Sequence, residues 1–202
     1  RHSRKYVDEM TTRFELGPNS HVVEVAANDG YLLQYFVADG VPCLGIEPTA
    51  STAAAAREKG VEIVEEFFGQ QTAQTLVANG KAADLTAANN VLAHVPDIND
   101  FVRGFTTILK PDGVATFEFP HLLQLIRHQQ FDTIYHEHYS YLSLTAVDRV
   151  FRENGLTVFD VEELSTHGGS LRVYAQRSDT GVHSRTQAVV DLLARETAAG
   201  VS

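Results

Sequence analysis

A single cysteine, Cys43, stands in 202 residues. It excludes an internal disulfide and any cysteine-rich zinc site within this chain. Basic residues are few: 16 Lys and Arg against 26 Asp and Glu leave a formal net charge of -10. Nucleic-acid backbones and anionic membranes need clustered Lys and Arg, so neither is expected as a main partner. No uninterrupted apolar run is long enough to span a bilayer. Arg1-His2-Ser3-Arg4-Lys5 has no apolar stretch behind it, which argues against a signal peptide. The cytoplasm is the expected compartment. Internal repeats and low-complexity tracts are lacking. So is an initiator Met, and the expectation is a domain excised from a longer protein.

What is present suffices for one substantial core. The length allows at most two small domains, and 44% hydrophobic residues is ordinary for a globular protein. Apolar strand-like runs at 21–27, 41–47, 61–65, 83–91 and 114–119 alternate with helix-like stretches at 31–38, 51–59, 70–79 and 97–109. Glycines punctuate the helix ends, and Asp97 or Asn99 can cap the fourth helix. This alternation predicts a parallel sheet with helices on both faces. After Pro120 the rhythm breaks. Residues 121–141 are polar-aromatic, with a short helix at 122–127 in which His121 and His128 read as surface or loop residues. A helix at 144–154 and strands at 156–161 and 171–176 follow, the last pair adding an antiparallel edge. The tail 184–199 reads as a helix whose apolar stripe, Val189, Leu192 and Leu193, has no evident partner and is expected to be partly exposed or buried in a crystal or dimer contact. The division is a helical lead-in (1–20), a main α/β domain (21–183) and the truncated start of a C-terminal region (184–202).

Two places carry chemistry. In an open α/β sheet the ligand lies at the carboxyl ends of the strands, beside the first one. Here that turn is Ala26-Ala27-Asn28-Asp29-Gly30. A dinucleotide site would need G-x-G-x-x-G, and this turn has one glycine. It suits a ligand with an amino-acid end and no pyrophosphate. Glu47 closes the second strand, where a carboxylate can accept from both ribose hydroxyls. The plainer reading is a capped turn and a solvated acid. The second place is Ile134-Tyr135-His136-Glu137-His138-Tyr139-Ser140-Tyr141, with two imidazoles, a carboxylate and three phenols in eight residues. Such density suits general acid/base work. His136 and His138 alternate and could instead be metal ligands, but no third ligand has convincing spacing. A lone His94 is more often a hydrogen-bonded loop residue than a catalyst, and Tyr139 and Tyr141 can be packing aromatics.

The pairing of Glu24 and Glu47 around a short turn resembles the pocket of the S-adenosylmethionine-dependent methyltransferases. Residues 88–97 resemble their fourth strand and following loop, and 109–113 their turn before the fifth strand. More narrowly, Glu118-Phe119-Pro120-His121-Leu122-Leu123, the run from Phe131 to His138, and Thr166-His167-Gly168-Gly169-Ser170-Leu171-Arg172 resemble the sugar C-methyltransferases, which act on nucleotide-linked 4-keto-deoxysugars in antibiotic sugar pathways. The resemblance covers nearly the whole chain. It implies a Rossmann-like class I methyltransferase fold with a mostly parallel seven-stranded sheet and an antiparallel last strand. It implies S-adenosylmethionine as cofactor, held by Glu24, Ala26, Asn28, Gly30, Tyr31, Glu47, Pro48, Phe67, Asn89 and Asn90. It carries catalytic roles onto His138, Tyr135, Glu137 and His94, with His138 preferred as base and Tyr135 sharing that role or donating to an enolate. It places the sugar nucleotide against His136, Tyr141, His167, Gly168, Ser170 and Arg172. Zinc is implied only for an N-terminal cysteine module that this chain does not contain, and a second C-terminal domain is implied as a further partner in the same polypeptide. Two alternatives stand beside this reading: an O- or N-methyltransferase of another small metabolite, and a binding module without turnover.

Overall fold

A computed structural model describes residues 2–201, with the His167 side chain outside the description. A first helix, α1 (His2–Arg13), precedes β1 (Val22–Val25), α2 (Leu33–Ala38), β2 (Cys43–Ile46), α3 (Ala50–Glu58), β3 (Glu62–Val64), α4 (Gln70–Ala78) and β4 (Ala83–Asn89). Then come α5 (Ile98–Ile108), β5 (Leu109–Pro120), α6 (Leu122–Arg127), α7 (Leu144–Glu153), β6 (Leu156–Leu164), β7 (Ser170–Arg177) and α8 (Gln187–Ala198). The strands form one seven-stranded sheet in the order β3-β2-β1-β4-β5-β7-β6. Pairings from β3 to β5 are parallel, and β7 runs antiparallel to both β5 and β6. The predicted fold class is the observed one. The last two strands form the expected antiparallel edge, with β7 seated between β5 and β6.

Alternating side chains along the strands divide two cores. Val23 and Val25 face α4, α5, α7 and α8, whereas Val22 faces α1, α2 and α3. Local chemistry sets the helix starts. Asp97 accepts from the Asp100 amide at 2.9 Å, and Ser143 from the Ala146 amide at 3.1 Å, both as N-caps. Asn99 is not the cap. It accepts from Asn154 at 2.7 Å.

The tail corrects its sequence reading. Val189 and Leu192 of α8 are fully buried against the sheet, and Leu193 is half-buried. The stripe has its partner within this chain. His121, read as a surface or loop residue, is 1% exposed and meets a carboxylate of α8. His128 is exposed.

Candidate functional site

From β1 the chain runs outward to β3 and then returns through β4 on the other side, which opens a crevice at their carboxyl ends. Backbone strain gathers there. Ala26, Asn28 and Asn90 all adopt left-handed φ, between 52° and 56°. Asn tolerates this region, but for Ala26 it costs of order 1 kcal/mol or more. Gly30 takes φ 73°, and a Cβ there would crowd Ala56 and Val61, so the turn needs its glycine. Lys59, beyond α3, donates to the Asp29 carbonyl at 2.8 Å and to its carboxylate at 2.6 Å, holding the turn from outside.

The crevice contains a mostly apolar cleft of about 220 Å³, with Ala26, Pro48, Phe67, Val91 and His94 in its walls. Phe67 is 83% exposed on its rim, so it is not core. Phe68 is the packing member of the pair, edge-on to Phe101 and Phe105. Glu47 closes β2 with its carboxylate drawn back into the fold. One oxygen accepts from the Asn28 amide at 3.2 Å and the other from the Thr49 amide at 2.9 Å. Each keeps lone-pair capacity for a further donor.

Behind the turn lies a polar interior. Glu24 is fully buried, and neither carboxylate oxygen has a protein partner. The Asn89 side-chain oxygen is also buried and unpartnered. Burial pushes the Glu24 carboxyl well above its ordinary range, and the Asp29 and Glu118 carboxylates push it further. Tyr31 is raised as well, first by burial and then by Glu24. Glu24 and Glu47 therefore do not act as a matched pair, since one is an orphaned acid inside and the other is a fastened acid at the mouth. Buried polar atoms without partners call for an explanation, and here three converge behind one turn. Orphaned acceptors, a glycine turn and an apolar cleft fit a ligand with an ammonium, a ribose and a flat base.

Tyr135 and His138 flank this crevice on the segment between α6 and α7. The segment is tied to the turn after β4 by the Tyr139 and Ser140 amides, which donate to the Ala93 carbonyl at 2.8 and 3.2 Å. His138 Nδ1 lies 2.9 Å from the Thr133 carbonyl, and the Tyr135 hydroxyl lies 2.9 Å from Nε2. A carbonyl can only accept, so Nδ1 carries the proton and Nε2 presents a lone pair to the phenol. His94 is fastened by Nδ1 to the Glu137 carbonyl at 3.0 Å, and its ring sits 4.6 Å from that of His138. It forms a wall of the apolar cleft on one side and packs against His138 of the Tyr135–His138 pair on the other. Tyr141 meets His138 edge-on at 5.7 Å.

The remaining predicted residues lie apart from this group. His136 and Glu137 are exposed, and it is the Glu137 backbone, not its carboxylate, that engages His94. Gly168 and Gly169 approach protein rather than open space. Gln130 donates to the Gly168 carbonyl at 2.8 Å, and the His121 amide donates to that of Gly169 at 3.0 Å. Ser170 is buried and donates to the Thr166 carbonyl at 3.0 Å. Arg172 is buried in ion pairs with Glu118 at 2.7 Å, Glu9 at 3.1 Å and Glu162 at 3.2 Å. A substrate that engaged its guanidinium would have to compete with those ion pairs. The His167 side chain lies outside the described residues. Sequence reasoning missed Thr133, whose role is played by a backbone carbonyl and leaves no residue-type signal.

Residues 1–161 match the family model described as a methyltransferase domain, and 165–202 match one described as a C-methyltransferase C-terminal domain. The chain is 35% identical over 201 residues to the C-methyltransferase NovU of Streptomyces niveus, covering 100% of this chain and 48% of that protein. It is 29% identical over 106 residues to a ubiquinone biosynthesis O-methyltransferase of Actinobacillus pleuropneumoniae serotype 5b (strain L20), covering 48% of this chain and 44% of the other. The chain thus spans about half the length of these relatives. Among solved structures, the S-adenosylmethionine-dependent methyltransferase of Clostridium acetobutylicum ATCC 824 superposes with a TM-score of 0.66 at 11% identity, over 86% of this chain and 90% of that one. Magnesium protoporphyrin IX methyltransferase of Synechocystis PCC 6803, with bound S-adenosylhomocysteine, gives 0.65 at 16% identity, over 88% and 82%. The orphaned acceptors and glycine turn agree with that cofactor, and the chain belongs to the S-adenosylmethionine-dependent methyltransferases, with C-methyltransferase likeness along its whole length.

Proposed function

We propose that this chain is the catalytic domain for C-methylation of a nucleotide-linked 4-keto-deoxysugar, in a cytoplasmic pathway of antibiotic sugars. The observation that carries this reading is the Thr133–His138–Tyr135 relay meeting His94 at the edge of the cofactor cleft. A carbon beside a ketone becomes a nucleophile only when its proton is removed and the resulting enolate oxygen is stabilised. Two routes use the relay. In one, the substrate displaces Tyr135 and its proton goes directly to His138 Nε2. In the other, the phenol passes its proton to Nε2 as the phenol oxygen takes the one from carbon. In both the proton ends on His138, and the Thr133 carbonyl supports the imidazolium. His94, fastened through Nδ1 to the Glu137 carbonyl, would face the same space, and the Tyr135 hydroxyl, where the substrate displaces it from His138, would donate to the enolate oxygen. S-adenosylmethionine supplies the electrophilic methyl group when bound. Glu24, Asn28, Gly30, Tyr31, Glu47, Pro48, Phe67, Asn89 and Asn90 would hold it. The N-terminal zinc module and C-terminal domain implied by the resemblance would complete the sugar site in the complete polypeptide.

Loss of deuterium from the carbon beside the ketone, with S-adenosylhomocysteine filling the cofactor site, isolates the proton step. In the complete polypeptide, His138→Asn is expected to slow washout by about 10²–10⁴-fold with cofactor affinity nearly intact. Washout at the wild-type rate in His138→Asn, with Tyr135→Phe inactive, would make the phenol the base. An O-methyltransferase, the class of the second relative, would leave the C–D bond untouched.

A further inference from the structure

We propose that Glu196, in the last helix, is a positioning residue that staples shut the base of the segment carrying Tyr135 and His138; the catalytic half of this proposal rests on the reading above. The segment leaves the sheet at His121 and rejoins the packed core at Leu144, where α7 begins, and Glu196 grips both ends. One carboxylate oxygen accepts from His121 Nε2 and from the Leu144 amide, each at 2.7 Å. The other accepts from the Thr145 amide at 2.8 Å and the Thr145 hydroxyl at 2.6 Å. Four donors saturate a carboxylate. Beside the staple, the Leu122 amide donates to the Leu142 carbonyl at 2.9 Å.

The burial makes this arrangement informative. Glu196 is 0% exposed and His121 is 1% exposed. An ionised carboxylate in such a place is costly unless every lone pair is used. Burial alone would raise its pKa, but the hydrogen bonds from His121, Thr145 and the α7 amides hold it below the ordinary carboxylate range. Its charge also meets the positive end of the α7 dipole. His121 Nδ1 is buried without a partner, so the imidazole is best accommodated as the neutral tautomer donating from Nε2. α8 is anchored by Val189 and Leu192 in the main core, which makes it a fixed post. Between the stapled ends the segment has no strand and only short helical turns, and its other ties are a few hydrogen bonds to Ala93, His94 and Gly168. How its base is held therefore contributes to the geometry of the relay.

The test uses Glu196→Gln, whose amide turns a donor toward donors, and His121→Phe, which frees one end while leaving the α7 cap. ¹⁵N imidazole spectra of His138 with S-adenosylhomocysteine bound report which nitrogen carries the proton. Both variants are expected to keep cofactor affinity, to replace the single Nδ1–H signature with mixed tautomers, and to slow deuterium washout by up to about 10²-fold. Folded variants with the wild-type His138 signature and washout would overturn the proposal. If the complete wild-type polypeptide itself shows no washout, the functional reading falls while the imidazole signature still decides the staple. Hydrogen exchange on the unmodified chain covers the case in which neither variant folds. Leu122 and Leu144 amides as slow as those of β5 support the staple, and exchange as fast as exposed loop amides overturns it.

Discussion

Glu24→Leu should make the cofactor-free chain more stable and the cofactor bind more weakly. Glu24 is fully buried beside Tyr31, with both carboxylate oxygens unpartnered and with Asp29 and Glu118 adding repulsion. A buried unsatisfied polar group costs about 1–3 kcal/mol, and leucine of similar volume removes it. For a chain of this length about 2–4 °C accompanies each kcal/mol, so the midpoint should rise by roughly 2–12 °C. The gain depends on pH in a definite sense. Folded Glu24 keeps its proton above the ordinary value of 4.5, so its stability contribution is full below that value. It is lost as pH rises through the raised folded value, because there the unfolded chain has released a proton that the folded chain still binds. The advantage of the leucine variant should therefore grow as pH rises from 4.5 toward the raised folded value. Thermal unfolding across that range measures the first half of the prediction. Calorimetry with S-adenosylhomocysteine measures the second, where loss of an acceptor for a charged donor should cost about 1.5–3 kcal/mol. A variant that is less stable at every pH and binds normally would refute the reasoning, because Glu24 would then have a satisfying partner within the protein.

Glu47→Ala should weaken S-adenosylhomocysteine by about 1.5–3 kcal/mol in calorimetry, since the Asn28 and Thr49 amides lose their shared anchor together with any ribose contact. Phe67→Ala should cost about 1–3 kcal/mol of cofactor affinity through lost stacking. It should leave the unfolding midpoint alone, because the ring is 83% exposed. Leu192→Ala should destabilise the chain by about 2–5 kcal/mol in denaturant titration, as expected for a buried leucine and not for an unpartnered tail.

The parallel half of the fold was legible because its signals are local. Runs such as Val22-Val23-Glu24-Val25 bury on both faces of the sheet, and Gly30, Gly60 and Gly80 stop the intervening turns and helices at left-handed φ. The last helix was not legible, because its partner lies elsewhere in the chain. Val189 and Leu192 look unsatisfied until β6 and α7 are seen beside them, and Glu196 looks like a surface acid until His121 is found 75 residues upstream. The site divides along the same line. The density of imidazole and phenol between residues 135 and 141 identified groups able to move a proton, a property of residue type alone. Which of them can act depends on where a lone pair points. At His138 that direction follows from the Thr133 carbonyl, which occupies Nδ1 and leaves Nε2 for Tyr135. Backbone carbonyls are common to every residue, so composition carries no trace of this choice. An irregular segment has no period from which to infer it. The candidate acid/base residues could thus be read from the sequence, whereas the order in which they hand on a proton required the fold.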